Sequence, residues 1–309
     1  MNRLLALLIC MIQVTLSGPL AVLTLPEAIA QERDDNLPIF VADTAIKPLR
    51  SYVNADFQNA LNRKLKANAK WKKLIDQKQM AVGLVDMRDV NNIKFARVNG
   101  NEMMYAASLP KIGVLLAAID AFETGELEET PEVMEDINIM ISKSNNQATT
   151  RIMDLVGLDK IESVLTDPRY ALYDEDYGGG LWVGKRYASS GPRHGEPLKG
   201  ISHAATVSQV CRFYYLMAFG KLVSFERSAQ MLEIMDDPGL HHKFVNSLDA
   251  LAPQARVFRK SGSWKTYHSD SVLVWGEDRR YILVALINDV DGENILRKLV
   301  MSVEEIMKL

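Results

Sequence analysis

The sequence predicts an α/β protein of the α+β sandwich type, with an antiparallel sheet built from strands near the two ends of the chain. Strand-like runs occur near both ends, and mostly helical patterns lie between them. The chain has 309 residues, of which 48% are hydrophobic and 24% are charged, as in ordinary globular proteins. We therefore expect helices to flank the sheet and a mostly α-helical lobe to be inserted between its two halves.

The N-terminal part of the predicted domain contains a helix and a hairpin. Apolar residues recur at mostly helical spacing from Leu49 to about Gln77, which predicts an amphipathic helix. Residues 80–86 and 94–98 are strand-like runs on either side of a polar turn. This pattern predicts the two strands of a hairpin.

Helical patterns occupy most of the middle of the chain. An apolar helix is predicted over residues 108–124, and three or four shorter helices are predicted over residues 131–165. Two further helices are predicted at 207–222 and 225–235. Residues 166–204 have little periodicity, and a loop of this length in a compact domain is often functional.

Three strand-like runs and a helix close the chain. The helix is predicted over residues 293–309. The strands are predicted at residues 256–260, 270–275 and 281–287. We expect an irregular lead-in at 31–48 and one domain at 49–309, with the helical lobe at about 112–222.

The first thirty residues form a separate pattern. Arg3 precedes an almost uncharged apolar run from Leu4 to Leu25, and small residues lead up to Ala30. This predicts a secretory signal peptide at residues 1–30 and a secreted or periplasmic protein without stable membrane insertion. An uncleaved membrane anchor is the competing interpretation, but no basic cluster follows the run. Cleavage would leave Cys211 as the only cysteine, so no intramolecular disulfide is expected.

Charge and histidine spacing exclude two kinds of partner. Lys and Arg number 36 against 39 Asp and Glu, for a net charge of -3, which argues against nucleic acid. His241 and His242 are the only adjacent histidines, and neighbouring positions on a helix point apart. This spacing predicts no metal site. We also expect no cofactor and a monomeric protein.

The first chemical motif is Ser108-Leu109-Pro110-Lys111, at the start of the apolar helix. A spacing of three on a helix places a serine hydroxyl and a lysine amine on one face, where a lysine with a lowered pKa can take the serine proton. Alone the motif is weak, because Ser-x-x-Lys arises by chance about once in a chain of this size.

Two further motifs follow in the chain. Ser144 and Asn146 can face one cavity and handle a proton and a substrate carbonyl, although a simple helix N-cap is the better explanation of this motif taken alone. Lys260-Ser261-Gly262 ends a strand-like run, where the lysine offers positive charge and the glycine leaves space beside the strand.

The three motifs together resemble the signature of serine β-lactamases and penicillin-binding proteins. The chain is similar to the class A β-lactamase-like branch over roughly the whole mature length. The resemblance implies the β-lactamase/transpeptidase-like fold and an acyl-enzyme at Ser108. It implies Lys111 as proton acceptor, Ser144 as proton donor to the leaving nitrogen and Asn146 as holder of the substrate amide.

The same resemblance implies the binding groups. Lys260 and Ser261 would bind the substrate carboxylate beside Gly262, and the N–H groups of Ser108 and Ser263 would form the oxyanion hole.

Two features depart from the class A pattern. The interval from the first to the second motif is short, and the long loop lacks the Glu context that positions the deacylating water. Glu175 and Glu196 are weak candidates for that carboxylate, and the favoured interpretation of both is a solvated loop charge.

The leading hypothesis is an exported serine hydrolase that hydrolyses β-lactams through an acyl-Ser108 intermediate. The first alternative is a penicillin-binding D-alanyl-D-alanine carboxypeptidase or related cell-wall peptidase with the same residues. The second is a non-catalytic envelope protein that keeps the pocket for binding. The expected partner is accordingly a small β-lactam or a D-Ala-D-Ala-type peptide.

Overall fold

The computed structural model describes residues 37–42 and 46–308. The predicted signal peptide at residues 1–30 lies outside these residues, as does part of the predicted lead-in. Among the helices so described, none is long and apolar enough to cross a bilayer. The predicted domain boundaries at 49 and 309 stay a proposal.

A twisted antiparallel sheet joins the two ends of the described chain. Its strands are β1 (Met80–Asp86), β2 (Lys94–Val98), β8 (Arg256–Trp264), β9 (Tyr267–Trp275) and β10 (Arg280–Asn288). Their order across the sheet is β2-β1-β10-β9-β8, so β1 pairs with β10 and β8 forms one edge. This confirms the predicted sheet, and three of its strands are longer than the sequence pattern indicated.

Each face of the sheet is covered by helices. Ala81 and Val85 of β1 belong to one hydrophobic cluster, and Val82 and Leu84 belong to the other, as expected for side chains that alternate across a strand. The second cluster is completed by the terminal helices α1 (Ala55–Lys66), α2 (Ala69–Asp76), α9 (Phe244–Leu251) and α10 (Gly292–Met307). The helix α9 was not predicted from the sequence.

The predicted single helix over residues 49–77 is wrong. The segment begins with a 3-10 turn at Leu49–Tyr52 and then divides into α1 and α2. Asn54 caps α1 by accepting from the Phe57 N–H, and Asn68 caps α2 by accepting from the Trp71 N–H. Each asparagine side chain satisfies an N–H at the start of a new helix, which breaks the longer pattern.

The helical lobe covers the other face of the sheet. Its helices are α3 (Lys111–Thr124), α4 (Pro131–Ser142), α5 (Asn146–Val156), α6 (Leu158–Thr166), α7 (Val207–Ala218) and α8 (Phe225–Met235). Most of α3 is buried on all sides, which explains its nearly uniform apolar sequence. The α3 helix begins at Lys111 rather than Ser108, and α7 ends at Ala218 rather than residue 222.

Short strands organise the segment that was predicted as a long loop. β3 (Met104–Tyr105) pairs with β7 (His203–Ala205), and β7 pairs with β6 (Trp182–Val183). β4 (Tyr173–Asp174) pairs with β5 (Gly179–Gly180). These pairings place residues 184–202 beside the turn that precedes α3.

Candidate active site

Ser108 lies in a tight turn between β3 and α3. The Leu109 N–H donates to the Ala106 carbonyl at 3.1 Å, and the Lys111 N–H donates to the Ser108 carbonyl at 3.3 Å. Ala107 has a φ of 51°, an unusual conformation for a residue with a side chain. The turn leaves Ser108 half-buried at the wall of a cavity.

Lys111 is fully buried at the start of α3, three residues after Ser108. Its Nζ donates to the Ser144 carbonyl and to Asn146 Oδ1, both at 2.8 Å. Burial lowers its pKa to about 7, because a charged amine loses hydration there. A neutral amine that makes these two donations keeps its lone pair for a third partner, which is what a proton acceptor requires.

The second motif forms both a loop and a helix start. Asn145 caps α5 by accepting from the Ala148 N–H at 2.9 Å, so the N-cap explanation holds for this residue. Ser144, just before it, has a φ of 56°. This geometry turns the Ser144 carbonyl toward Lys111 and its hydroxyl toward Lys260.

Lys260 connects the edge strand to the second motif. Its Nζ donates to Ser144 Oγ at 2.9 Å and to the Ser261 carbonyl at 3.1 Å. Burial, reinforced by the nearby charges of Lys111 and Arg259, holds the pKa of Lys260 well below its ordinary value. The structure therefore brings Ser108, Lys111, Ser144, Asn146 and Lys260 together around one end of α3.

The rest of the third motif lies within β8 rather than at its end. A Cβ on Gly262 would lie 2.3 Å from the Ala106 carbonyl oxygen and 2.5 Å from the Ser108 nitrogen, so the glycine makes room for the serine turn itself. Ser261 is buried, and its hydroxyl lies 3.3 Å from His242 Nε2. Ser263 is exposed and lines the cavity.

Several site residues carried no recognisable motif. The buried Lys243 Nζ donates to the Gly262 carbonyl at 2.6 Å and to the Ser269 carbonyl at 3.0 Å, which ties β8 to the residues before α9. Burial lowers its pKa to about 8. Tyr187 places its ring 4.6 Å from Lys111 Nζ and donates to the Ala107 carbonyl. Neither Lys243 nor Tyr187 lies in a recognisable sequence motif, so only the fold shows that they contact the site.

The histidine pair lies in a different setting from the one predicted. His241 and His242 lie in a loop rather than on a helix, so that part of the prediction is wrong. His241 contacts Asp249, and His242 is half-buried against Ser261. Across residues 37–42 and 46–308, no group of three or more His, Cys, Asp or Glu side chains is arranged to hold a metal ion.

A cavity of about 820 Å³ opens in front of Ser108. Asn146, Tyr105 and Ser263 line it close to the motifs, and residues of the 185–203 segment form much of its wall. Neither Glu175 nor Glu196 is among the residues that line it.

The two glutamates differ from each other. Glu175 is exposed in a 3-10 turn. Glu196 is buried and accepts hydrogen bonds from the N–H groups of Leu198, Lys199 and Ile201 and from the Tyr173 hydroxyl. Burial alone would raise the pKa of Glu196, but these hydrogen bonds bring it below its ordinary value. The description of Glu196 as a solvated charge is therefore wrong, because it holds the loop together.

Trp182 and Cys211 have structural roles outside the cavity. Trp182 is buried, its ring centroid lies 4.9 Å from that of Tyr173, and its Nε1 donates to the His194 carbonyl. It fixes the loop to the body rather than lining the cavity. Cys211 is a fully buried core residue on α7.

Comparisons with known proteins agree with this architecture. A beta-lactamase from Sphaerobacter thermophilus superposes with a TM-score of 0.63 at 15% identity, covering 81% of this chain and 97% of that one. PBP-A gives a TM-score of 0.61 at 17% identity, with 82% and 96% covered. A PBP-A variant in an acyl-enzyme complex with penicillin G gives 0.62 at 18% identity, with 81% and 96% covered. These similarities establish a shared fold.

The sequence comparison establishes the family. No curated protein sequence matches the chain significantly. The profile of the Beta-lactamase enzyme family matches residues 129–303, which is more than half of the chain. This range includes the second and third motifs, and the fold places Ser108 and Lys111 against both. The chain belongs to the Beta-lactamase enzyme family and is a β-lactamase-like serine hydrolase.

Proposed function

We propose that this protein is an exported serine hydrolase whose Ser108 is acylated by β-lactams. The observation that carries the proposal is Lys111, a buried amine with a pKa of about 7 and both donor positions occupied beneath the serine turn. Its lone pair takes the Ser108 proton as Oγ attacks the lactam carbonyl carbon. The N–H groups of Ser108 and Ser263 stabilise the oxyanion.

Opening of the ring requires a proton for the leaving nitrogen. The Ser144 hydroxyl accepts from Lys260 Nζ and so keeps its own hydrogen for donation. As the carbon–nitrogen bond breaks, Ser144 gives this proton to the nitrogen and regains one through the two lysines. The product is an ester between Ser108 and the acyl group, and water releases it.

The fate of this ester separates the two enzymatic hypotheses. β-Lactam hydrolysis is the leading reaction, and it needs rapid attack by water. A penicillin-binding peptidase is favoured by one observation: among the described residues that line the cavity, none is Asp or Glu, so no carboxylate there activates a water. Slow release of the acyl group would follow.

Intact-protein mass spectrometry with a penicillin and a cephalosporin, sampled from seconds to hours, tests the proposal. We expect an adduct on the wild type and on Ser163→Ala, an exposed serine of α6, but not on Ser108→Ala. A transient adduct with consumption of excess antibiotic identifies a β-lactamase, and a persistent adduct identifies a penicillin-binding enzyme. Absence of any adduct contradicts the proposal and favours the non-catalytic binding protein.

A further inference from the structure

The wall of the active-site cavity carries an excess of positive charge. Among the described residues that line it, five are cationic and none is acidic. The cations are Lys185, Arg186, Arg193, Lys199 and Lys265. The chain as a whole has a net charge of -3, so this concentration of cations is local. A cavity lined by one sign of charge attracts ligands of the opposite sign.

Two of these cations already have carboxylate partners. Arg186 pairs with Asp154, and Lys199 Nζ lies 2.6 Å from a Glu102 oxygen. Their charges are largely compensated by these neighbours. They therefore contribute less to the cavity than their positions suggest.

The other three cations differ. In the part of the chain that the structure describes, Lys185, Arg193 and Lys265 have no carboxylate within ion-pair distance. Arg193 donates to the Gly200 carbonyl at 2.6 Å, and Lys265 Nζ lies 5.9 Å from the Trp264 ring centroid. Both contacts position a cation without neutralising it.

Lys185 and Arg193 lie directly opposite each other. They form an antiparallel β-bridge, which places both side chains on the same side of the paired segments. Like charges at opposed positions repel each other. Two hydrogen bonds flank the bridge: the His194 N–H donates to the Gly184 carbonyl, and Trp182 Nε1 donates to the His194 carbonyl. The fold thus places two cationic residues opposite each other at the cavity wall, and an anion between their side chains would relieve like-charge repulsion.

We propose that Lys185 and Arg193 form a second anion-binding site that selects substrates with an additional carboxylate. The inference rests on the proposed function, since it takes the reactive carbonyl to lie at Ser108. One substrate carboxylate binds near Lys260 and Ser261. The second, on the acyl side chain, binds between Lys185 and Arg193, and Lys265 adds long-range attraction.

Benzylpenicillin and carbenicillin form a suitable substrate pair, because carbenicillin carries one additional carboxylate on the acyl side chain. The measured quantity is the ratio of their second-order acylation rates at Ser108, carbenicillin over benzylpenicillin. In Lys185→Gln/Arg193→Gln we expect this ratio to fall roughly fivefold to tenfold. Lys298→Gln removes an exposed charge from α10 and serves as the matched control, with an unchanged ratio. Added salt is expected to lower the wild-type ratio toward that of the double variant.

The outcomes separate this inference from the proposed function. An equal ratio in the wild type and the double variant overturns the second site while leaving acylation intact. If neither penicillin acylates the wild type, binding to Ser108→Ala is measured by quenching of Trp264, which is 57% exposed at the cavity. Tighter binding of carbenicillin that depends on Lys185 and Arg193 then supports the anion site alone, and equal binding of both penicillins overturns it.

Discussion

Gly262→Ala tests whether β8 positions the serine turn. The added Cβ would lie 2.3 Å from the Ala106 carbonyl oxygen, 2.5 Å from the Ser108 nitrogen and 2.8 Å from the Leu109 nitrogen. All three atoms are backbone, so no side-chain rotation relieves the contact. Ordinary contact begins at 3.4 Å, so the strand and the turn must separate by about 1 Å.

Two effects of this separation are measurable. A displacement of about 1 Å at a reacting group can reduce a rate by about 10²-fold, so we expect acylation of Ser108 by a penicillin to slow by that amount. Overpacking of a close contact costs about 1–3 kcal/mol, so the free energy of unfolding in urea should fall by a similar amount. Rapid mixing followed by mass spectrometry gives the first quantity, and circular dichroism gives the second.

Gly276→Ala is the matched control. Gly276 follows β9, and a Cβ there would meet only Ala255 at 3.2 Å and beyond. We expect both quantities to stay close to the wild-type values. A folded Gly262→Ala protein that acylates at the wild-type rate would refute the claim that this contact positions Ser108.

Three further predictions concern individual polar groups. Only the neutral Lys111 amine accepts a proton, so the acylation rate should rise about tenfold per pH unit below the Lys111 pKa of about 7 and level off above it. An acylation rate independent of pH contradicts Lys111 as the proton acceptor. Ser144→Ala removes the hydroxyl bound to Lys260, so acylation should slow by about 10²–10⁴-fold in stopped-flow measurements. An unchanged acylation rate would exclude proton transfer through Ser144. Glu196→Gln removes the charged acceptor of Tyr173 and three N–H groups, so the free energy of unfolding should fall by about 2–3 kcal/mol at neutral pH. The folded state lowers the pKa of Glu196, so the contribution of its carboxylate to stability is complete above the ordinary pKa and is lost as pH falls through the lowered pKa. The denaturation curves of the wild type and Glu196→Gln should therefore converge in acid.

The sheet and most helices were predictable because their signals are local. Buried elements have continuous apolar runs, as in the strand from Met80 to Asp86 and in the helix that ends at Thr124. The breaks at Asn54 and Asn68 were also local, since each asparagine caps a new helix. The helical spacing around them concealed this signal.

The site was predictable only where motifs exist. Ser108 and Lys260 stand in recognisable patterns, whereas Lys243 and Tyr187 become site residues only because distant segments meet. Glu196 resembles an ordinary loop charge in the sequence. Its four hydrogen bonds come from residues on both sides of a folded loop, and no spacing rule describes that arrangement.

The pairing of β1 with β10 also determines when the enzyme can become active during synthesis. The two strands are separated by about 200 residues, so their contact requires closure of most of the chain. Such long-range contacts slow folding, and β8 can join the sheet only through β9 and β10. Ser108 and Lys111 are made early but lack the strand that packs against the serine turn. A ribosome-bound chain that ends before β10 should therefore be inert toward penicillins.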